Sequence, residues 1–413
     1  MLSQSNKIDF DKRKWGLTGY IAFFISFAFV FSVFNPNLIR IPIPFFNFFE
    51  LLIIPIIIMV FPFIKSISKY EKVLYGSILF IVFTRLISVI FAEYFRFDQL
   101  ISIIRYFEYL LVIYIVSFVL ANKKSQDHFV KGVIIFTSLE TIVGVIVFLM
   151  SKGHLRGYFF TNGIYIQQIF VLLIALSNIL YKKEQHRYLW SFLLLIMFLG
   201  IIVAEIRIGY VDLLIALLLY LIFAEFKTRL IRVSFLTLLL FLSLIFPLYF
   251  KGYLDVIGIR VTQLFQGEGT VAIRASLWTL AWQLFLSHPF TGIGSGGFAR
   301  YQEQYLTSFG IELPQEVIGI STHNTVLGIL AETGIVGFIS YIVYFFVVFK
   351  IFKLLIKVYY LELSYNKKIY TISIGICLVV VTLMDWFAQG SFGPVSGILL
   401  GFALGILKER IKT

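Results

Sequence analysis

His323, with Asn324 after it, stands immediately before a long apolar run that begins at residue 325. A neutral imidazole accepts a proton near physiological pH, so a histidine at the edge of such a run is a candidate general base; the same placement also suits a plain structural contact. Arg156, Arg207 and Arg274 stand in comparable positions beside apolar runs. A guanidinium presents a planar fork that grips phosphate through two hydrogen bonds and keeps its charge when partly desolvated. Together these side chains point to recognition of an anionic group, with proton transfer, near a membrane surface.

Residues 291–298, TGIGSGGF, hold Gly292, Gly294, Gly296 and Gly297. Such a stretch allows sharp turns and close backbone approach, and its exposed amides would suit an anion. It would equally serve as a turn reversing the chain between two interfacial helices. It matches neither a Walker nor a Rossmann fingerprint. Before it, Ala272 to Leu286 reads AIRASLWTLAWQLFL. That is too short to span a bilayer, and Trp278 and Trp282 share one helical face, the pattern of an amphipathic interfacial helix. Its helical tendency ends at Ser287-His288-Pro289. Gly328, Gly334 and Gly337 recur in the following span and would let a neighbouring helix pack closely.

The elements that must position these residues are membrane spans. Of 413 residues, 60% are hydrophobic and 14% charged, well outside the usual soluble balance. The apolar residues fall in runs of about 17–25, the length that crosses about 30 Å of hydrocarbon as a helix. The expected fold is an all-α polytopic membrane protein with twelve spans near 15–34, 45–64, 73–92, 100–121, 129–150, 163–180, 189–204, 208–224, 233–250, 325–349, 369–386 and 392–407. Spans seven and eight are parted only by Glu205, Ile206 and Arg207. The organisation is residues 1–250 with spans one to nine, an extramembrane loop over 251–324, and residues 325–413 with spans ten to twelve. The first run lacks a small-residue cleavage site and reads as a retained helix. The single cysteine, Cys377, permits no intramolecular disulfide.

Alternate inter-span segments carry 24 of the 35 Lys and Arg residues, and the other side carries ten. The richer side is cytoplasmic by the positive-inside rule, so both termini face inward. The inner set is 19 Lys to 5 Arg, whereas the outer set is 8 Arg to 2 Lys. Topology needs only positive charge, so the outward preference for arginine again suggests an anionic ligand, or simply good interfacial tolerance. The net charge of +13 is explained by these flanks and not by nucleic acid. Arg85 and Glu140 lie inside spans, where charge is costly and usually faces a partner; they are expected to pair, with Arg85 also a candidate substrate contact. Asp385, at the outer end of span eleven, is a candidate acceptor contact.

His323-Asn324, nine residues, then Gly334-Ile335-Val336-Gly337 resembles the H-[NSQ]-x9-G-x-x-G signature of the O-antigen ligase and O-antigen polymerase superfamily. Arg274 with Trp278, then His288-Pro289, Gly292-Ile293-Gly294 and Phe298, is similar to its flanking stretch. Arg207 with Gly209 and Tyr210 looks like its short Arg-bearing outer turn, although Ile206 stands where relatives often carry Ser. Residues 156–163, RGYFFTNG, resemble its R-x-x-G-x-F-x-N-x-N region loosely. The likeness covers roughly residues 150–400.

The resemblance implies a GT-C-like glycosyltransferase of the bacterial cytoplasmic membrane with an extracytoplasmic site. The donor would be a glycan on undecaprenyl pyrophosphate. An acceptor hydroxyl attacks the anomeric carbon, with inversion expected of a single displacement, and the lipid diphosphate leaves. By the same resemblance Arg207 and Arg274 grip the diphosphate, His323 takes or orients the hydroxyl proton, and neither a metal nor another cofactor is needed. Arg156, Asn324, Arg85, Gly292, Gly294 and Asp385 are the further expected substrate contacts. The sequence holds no metal-ligand cluster in the loop. The acceptor would be a second lipid-linked repeat (a polymerase), lipid A-core (a ligase) or a protein, with a chain-length regulator as a further partner. Abundant Ile, Phe and Lys suggest an AT-rich genome and favour the polymerase. A flippase is the competing class, but no internal repeat is visible and the candidate groups lie at the outer interface, not at the midplane.

Overall fold

A computed structural model describes residues 18–31, 67–92, 97–151, 165–181, 186–203, 207–223, 270–300, 302–310, 318–387 and 394–412. The expected spans at 45–64 and 233–250, and Arg156, lie outside the described residues. The helices are α1 (Thr18–Val30), α2 (Lys69–Ile90), α3 (Phe97–Val119), α4 (Lys123–Met150), α5 (Tyr165–Tyr181), α6 (Arg187–Val203), α7 (Arg207–Phe223), α8 (Thr270–Ser287), α9 (Gly297–Arg300), α10 (Gln302–Phe309), α11 (Thr325–Leu361), α12 (Tyr365–Phe387) and α13 (Pro394–Lys412). Among the described residues all regular structure is helical. Four helices, α2, α4, α11 and the 365–383 part of α12, are long and apolar enough to cross a membrane.

Local sequence sets the starts. Ser68 caps α2 in a reciprocal capping box with Glu71, and Asn122 caps α4 by accepting from the Ser125 amide. Two ends differ most from the sequence reading. Helix α4 begins at Lys123, ahead of the expected 129, because its Asn122 cap lies that far upstream. Helix α11 runs on to Leu361, past the expected 349, because Lys350, Lys353 and Lys357 are good helix formers and its C-cap is Glu362. At 37 residues it is about 55 Å long.

The main core brings together α1 to α7 and α11 to α13. Helix α13 lies along α3 with Gly397, Gly401 and Gly405 in the seam. A Cβ on Gly401 would come within 2.5 Å of Val116, and one on Gly405 within 2.7 Å of the Leu120 carbonyl. Four-residue spacing of glycines puts them in one row and lets the backbones touch.

Side-chain contacts fix the helix directions. The Tyr360 hydroxyl donates to the Phe223 carbonyl (3.0 Å) and that of Tyr365 to Ser177 (3.0 Å). The ends of α5, α7 and α11 therefore share one end of the bundle with the start of α12. Lys408 pairs with Glu71 (2.6 Å) and Lys367 with Glu409 (2.8 Å) at that same end. The starts of α5, α7 and α11 consequently lie at the other end, with Gly209 against Tyr165. Lysines 69, 72, 123, 124, 357, 367, 368 and 408 gather opposite His323, while the start of α7, at Arg207, lies at the His323 end.

Candidate active site

Helix α8 buries Leu277, Leu280, Ala281 and Leu284 against Ile293, Phe298, Tyr305, Leu306 and Ala331, forming a second core apart from that of the bundle. The helix stops before Pro289, as its sequence requires. Its outward face holds Arg274, Trp278, Trp282 and Leu286. The two tryptophans share a face as expected, but opposite the leucine-rich side of α8 the exposed side mixes Trp278, Trp282 and Leu286 with Arg274, Thr279 and Gln283. It therefore departs from a helix with a polar outer face.

His323 stands at the junction of this small core and α11. The Asn324 side chain accepts from the Leu327 amide (3.1 Å) and caps α11. The Thr322 hydroxyl donates to the Asn324 carbonyl (2.7 Å) and accepts from the Asn324 amide (3.3 Å). Held between these contacts, His323 adopts φ 48°, a left-handed conformation uncommon for a residue other than glycine, and its side chain is exposed. Asn324 is thus the residue that stages the histidine. Two further contacts fix the same backbone. The Trp278 indole donates to the Thr322 carbonyl (3.0 Å). Buried Gln302 accepts from the Gly319 amide (2.7 Å) and donates to the Ile320 carbonyl. The imidazole is held below the usual histidine range, first by partial withdrawal from water and then by the positive charge of Arg274. The structure therefore brings Arg274 and His323 together and favours the neutral ring that a base requires.

The glycine stretch is a splice. Gly334 has φ 62° and breaks the ladder of α11. The carbonyls of Ala331 and Glu332 and the amides of Ile335 and Val336 lose one another as partners. Residues 289–294 replace them: Ile293 and Gly294 donate to the Ala331 and Glu332 carbonyls (3.0 Å each), and Ile335 and Val336 donate to those of Pro289 and Phe290 (2.8 and 3.4 Å). Each such group left unmatched at membrane depth would cost several kcal/mol. The approach needs glycine on both sides. A Cβ on Gly334 would lie 2.4 Å from the Phe290 carbonyl, and one on Gly292, at φ 66°, 2.3 Å from the Glu332 backbone. The amides of Gly292 and Gly294, expected to face an anion, donate instead to the His288 and Glu332 carbonyls.

Arg85 meets this splice from α2. Its Nη1 donates to Ser295 and lies 3.6 Å from the Glu332 carboxylate. Its Nη2 donates to Tyr341 (2.9 Å), and its guanidinium sits 5.1 Å from the ring centre of Tyr106. The expected partner, Glu140, is replaced by Glu332, the carboxylate that the helix break delivers to α2. Glu332 also accepts from the Phe298 amide (3.4 Å), and its carbonyl accepts from the Ser88 hydroxyl. Arg85 is thereby committed to protein groups.

Arg207 opens α7 at the His323 end of the bundle; its side chain lies outside the described residues. Asp385 falls in the last turns of α12, at the same end, and its side chain is likewise outside them. Gln302, Thr322, Ser295 and Glu332 were not singled out from sequence. Of these, Glu332 carried a visible signal, being a carboxylate within an apolar run.

Helices of membrane-crossing length and composition, with a histidine and an arginine presented at one end, define an integral membrane protein. Residues 192–342 match the family model described as O-antigen ligase, a family of glycosyltransferase-like enzymes, and this supports the likeness to the O-antigen ligase and polymerase superfamily. The matched segment includes Arg207, Arg274, the glycine splice and His323-Asn324. No curated protein matches the chain.

Proposed function

We propose that this protein transfers a glycan from undecaprenyl pyrophosphate to an acceptor hydroxyl at the outer face of the cytoplasmic membrane, with a second lipid-linked repeat as acceptor. The observation that carries the reading is the staging of His323 beside Arg274, with its ring biased toward the neutral form. The acceptor oxygen attacks the anomeric carbon, the bond from that carbon to the diphosphate breaks, and His323 takes the hydroxyl proton. Arg274 and Arg207 neutralise the charge that grows on the departing diphosphate; such preorganised donors typically contribute about 2.7–4 kcal/mol each to lowering a barrier. In this reading Arg156 and Asp385 are further contacts to donor and acceptor.

The chain crosses the membrane twelve times in this reading, in a GT-C-like architecture with both termini cytoplasmic. The lysines gathered opposite His323 support that orientation. A second reading, transfer to lipid A-core, is favoured by the description of the matching family model as O-antigen ligase. One experiment separates them: purified protein is given a defined undecaprenyl-pyrophosphate-linked repeat. A glycan ladder on the lipid carrier is expected. Product only on adding lipid A-core selects the ligase, and no release of undecaprenyl pyrophosphate under either condition rejects glycan transfer.

A further inference from the structure

Among the described residues, two hydrophobic cores bear on the site. One belongs to the membrane bundle and includes α7, which Arg207 opens; the other unites α8, the glycine splice, α9 and α10 with Ala331 and underlies Arg274 and His323. The first nine residues of α11, Thr325–Thr333, lead from His323 between the two cores, with Ala331 in the second and Ile329 in that of the bundle, and beyond Gly334 the helix continues in the bundle. A glycine at φ 62° is a poor strut, so the angle between the two parts depends on what bridges the break. Backbone bonds from residues 289–294 fix the splice to α11. Among the described residues the splice packs with Gly294 close to Ala92 and Gln99, and its polar side-chain ties to the neighbouring α2 converge on two residues. Arg85 holds Ser295 of the splice and Glu332 of the short segment, while Tyr341 and Tyr106 anchor it in the bundle. Glu332 in turn holds Phe298, Ser88 and Arg85.

We propose that Arg85 and Glu332 are positioning residues that set the His323–Arg274 unit in register with the Arg207 end of the bundle. This rests on the glycan-transfer reading above and adds that neither Arg85 nor Glu332 contacts substrate. The geometry favours that role over gripping a diphosphate. The fork of Arg85 is shared among Ser295, Tyr341 and Glu332, and its side chain is only 11% exposed. Aligning groups from two bodies matters steeply, because a misplacement of about 1 Å can cost about 100-fold in rate.

The test measures undecaprenyl pyrophosphate release by wild type, His323→Ala and Glu332→Gln in detergent, with a defined undecaprenyl-pyrophosphate-linked repeat as donor. Glu332→Gln keeps size and removes the charge that faces Arg85. Its kcat is expected to fall at least about tenfold, with the donor KM changed less than about twofold and the melting temperature nearly unchanged. A raised KM at unchanged kcat would mean that the Arg85 region binds donor, and wild-type kcat would mean that the bridge sets nothing; either overturns the proposal while an inactive His323→Ala still upholds the reaction. Full activity in His323→Ala removes the catalytic role of His323 and this inference together. If Glu332→Gln does not accumulate, Ser295→Ala removes one bond from Arg85: a fall of about threefold in kcat at constant KM supports the bridge, and no change rejects it.

Discussion

The indole Nε1 of Trp278 donates to the carbonyl oxygen of Thr322 over 3.0 Å, so the residue one turn after Arg274 holds the backbone on which His323 stands. This bond ties the backbone beside His323 to the helix that carries Arg274. Trp278→Phe keeps the ring's bulk and deletes the donor. A hydrogen bond of this kind contributes about 0.5–1.5 kcal/mol, so kcat is expected to drop roughly three- to tenfold, with little change in melting. Steady-state transfer assays check this, and an unchanged kcat would show that the tether is not what orients His323.

The same pairing gives a pH dependence of definite sign. Burial and then Arg274 lower the histidine's pKa from its ordinary 6.5. A base must be unprotonated, so activity is retained as pH falls past 6.5 and is lost only below the lowered pKa. Arg274→Gln removes the second cause, and the pKa rises toward 6.5 as far as burial allows. NMR titration of the His323 ring in the two proteins should show the higher midpoint in Arg274→Gln. An equal or lower midpoint would mean that the two charges do not interact.

Arginine and lysine should differ at positions 207 and 274. If each cation grips diphosphate at two points, Arg274→Lys and Arg207→Lys keep the charge and lose the fork. Each is expected to retain less than about a tenth of wild-type kcat/KM, since losing a charge-assisted contact made in the transition state costs about 2.7–4 kcal/mol. Full activity in either variant would mean that point charge suffices there.

Much of this arrangement was legible in the sequence, for identifiable reasons. The stop at Ser287-His288-Pro289 and the separation of α6 from α7 follow from local chemistry, which acts within a few residues. Hydropathy, however, reads 325–349 as one uninterrupted run and is blind to the positive φ of Gly334. The turn at 291–298 reads from sequence either as an anion cradle or as a plain turn; the partners of its Ile293 and Gly294 amides, Ala331 and Glu332, lie nearly forty residues on. Arg85 and Glu140 read as a pair because both are charges within spans, whereas the partner of Arg85, Glu332, lies nearly two hundred and fifty residues on, beside the break in α11. The seam of Gly397, Gly401 and Gly405 against α3 is not read from the sequence, because its partner helix lies nearly three hundred residues upstream.

The splice predicts unequal costs for three glycines. Gly310→Ala introduces a side chain at φ 62° into open space, so it meets backbone strain alone, about 1–2 kcal/mol. Gly334→Ala and Gly292→Ala have similar φ and also drive a Cβ to within 2.4 and 2.3 Å of fixed backbone. Thermal unfolding in detergent should rank both well below Gly310→Ala. Equal melting temperatures for all three would mean that residues 289–294 do not lie against α11.

At the far end of the bundle, Lys408 meets Glu71, whose side chain is fully buried and also accepts from Ser117. Lys408→Ala leaves that carboxylate without its cation, and breaking a buried pair typically costs about 3–5 kcal/mol. The variant should melt at markedly lower temperature yet transfer glycan at the wild-type rate while folded, because the pair lies at the opposite end from His323. Neutralising both partners in Glu71→Gln/Lys408→Met removes the stranded charge, so the double variant should recover most of the lost stability. A double variant no more stable than Lys408→Ala would mean that Lys408 acts through packing against Tyr114, over whose ring it sits at 5.6 Å, and not through the carboxylate.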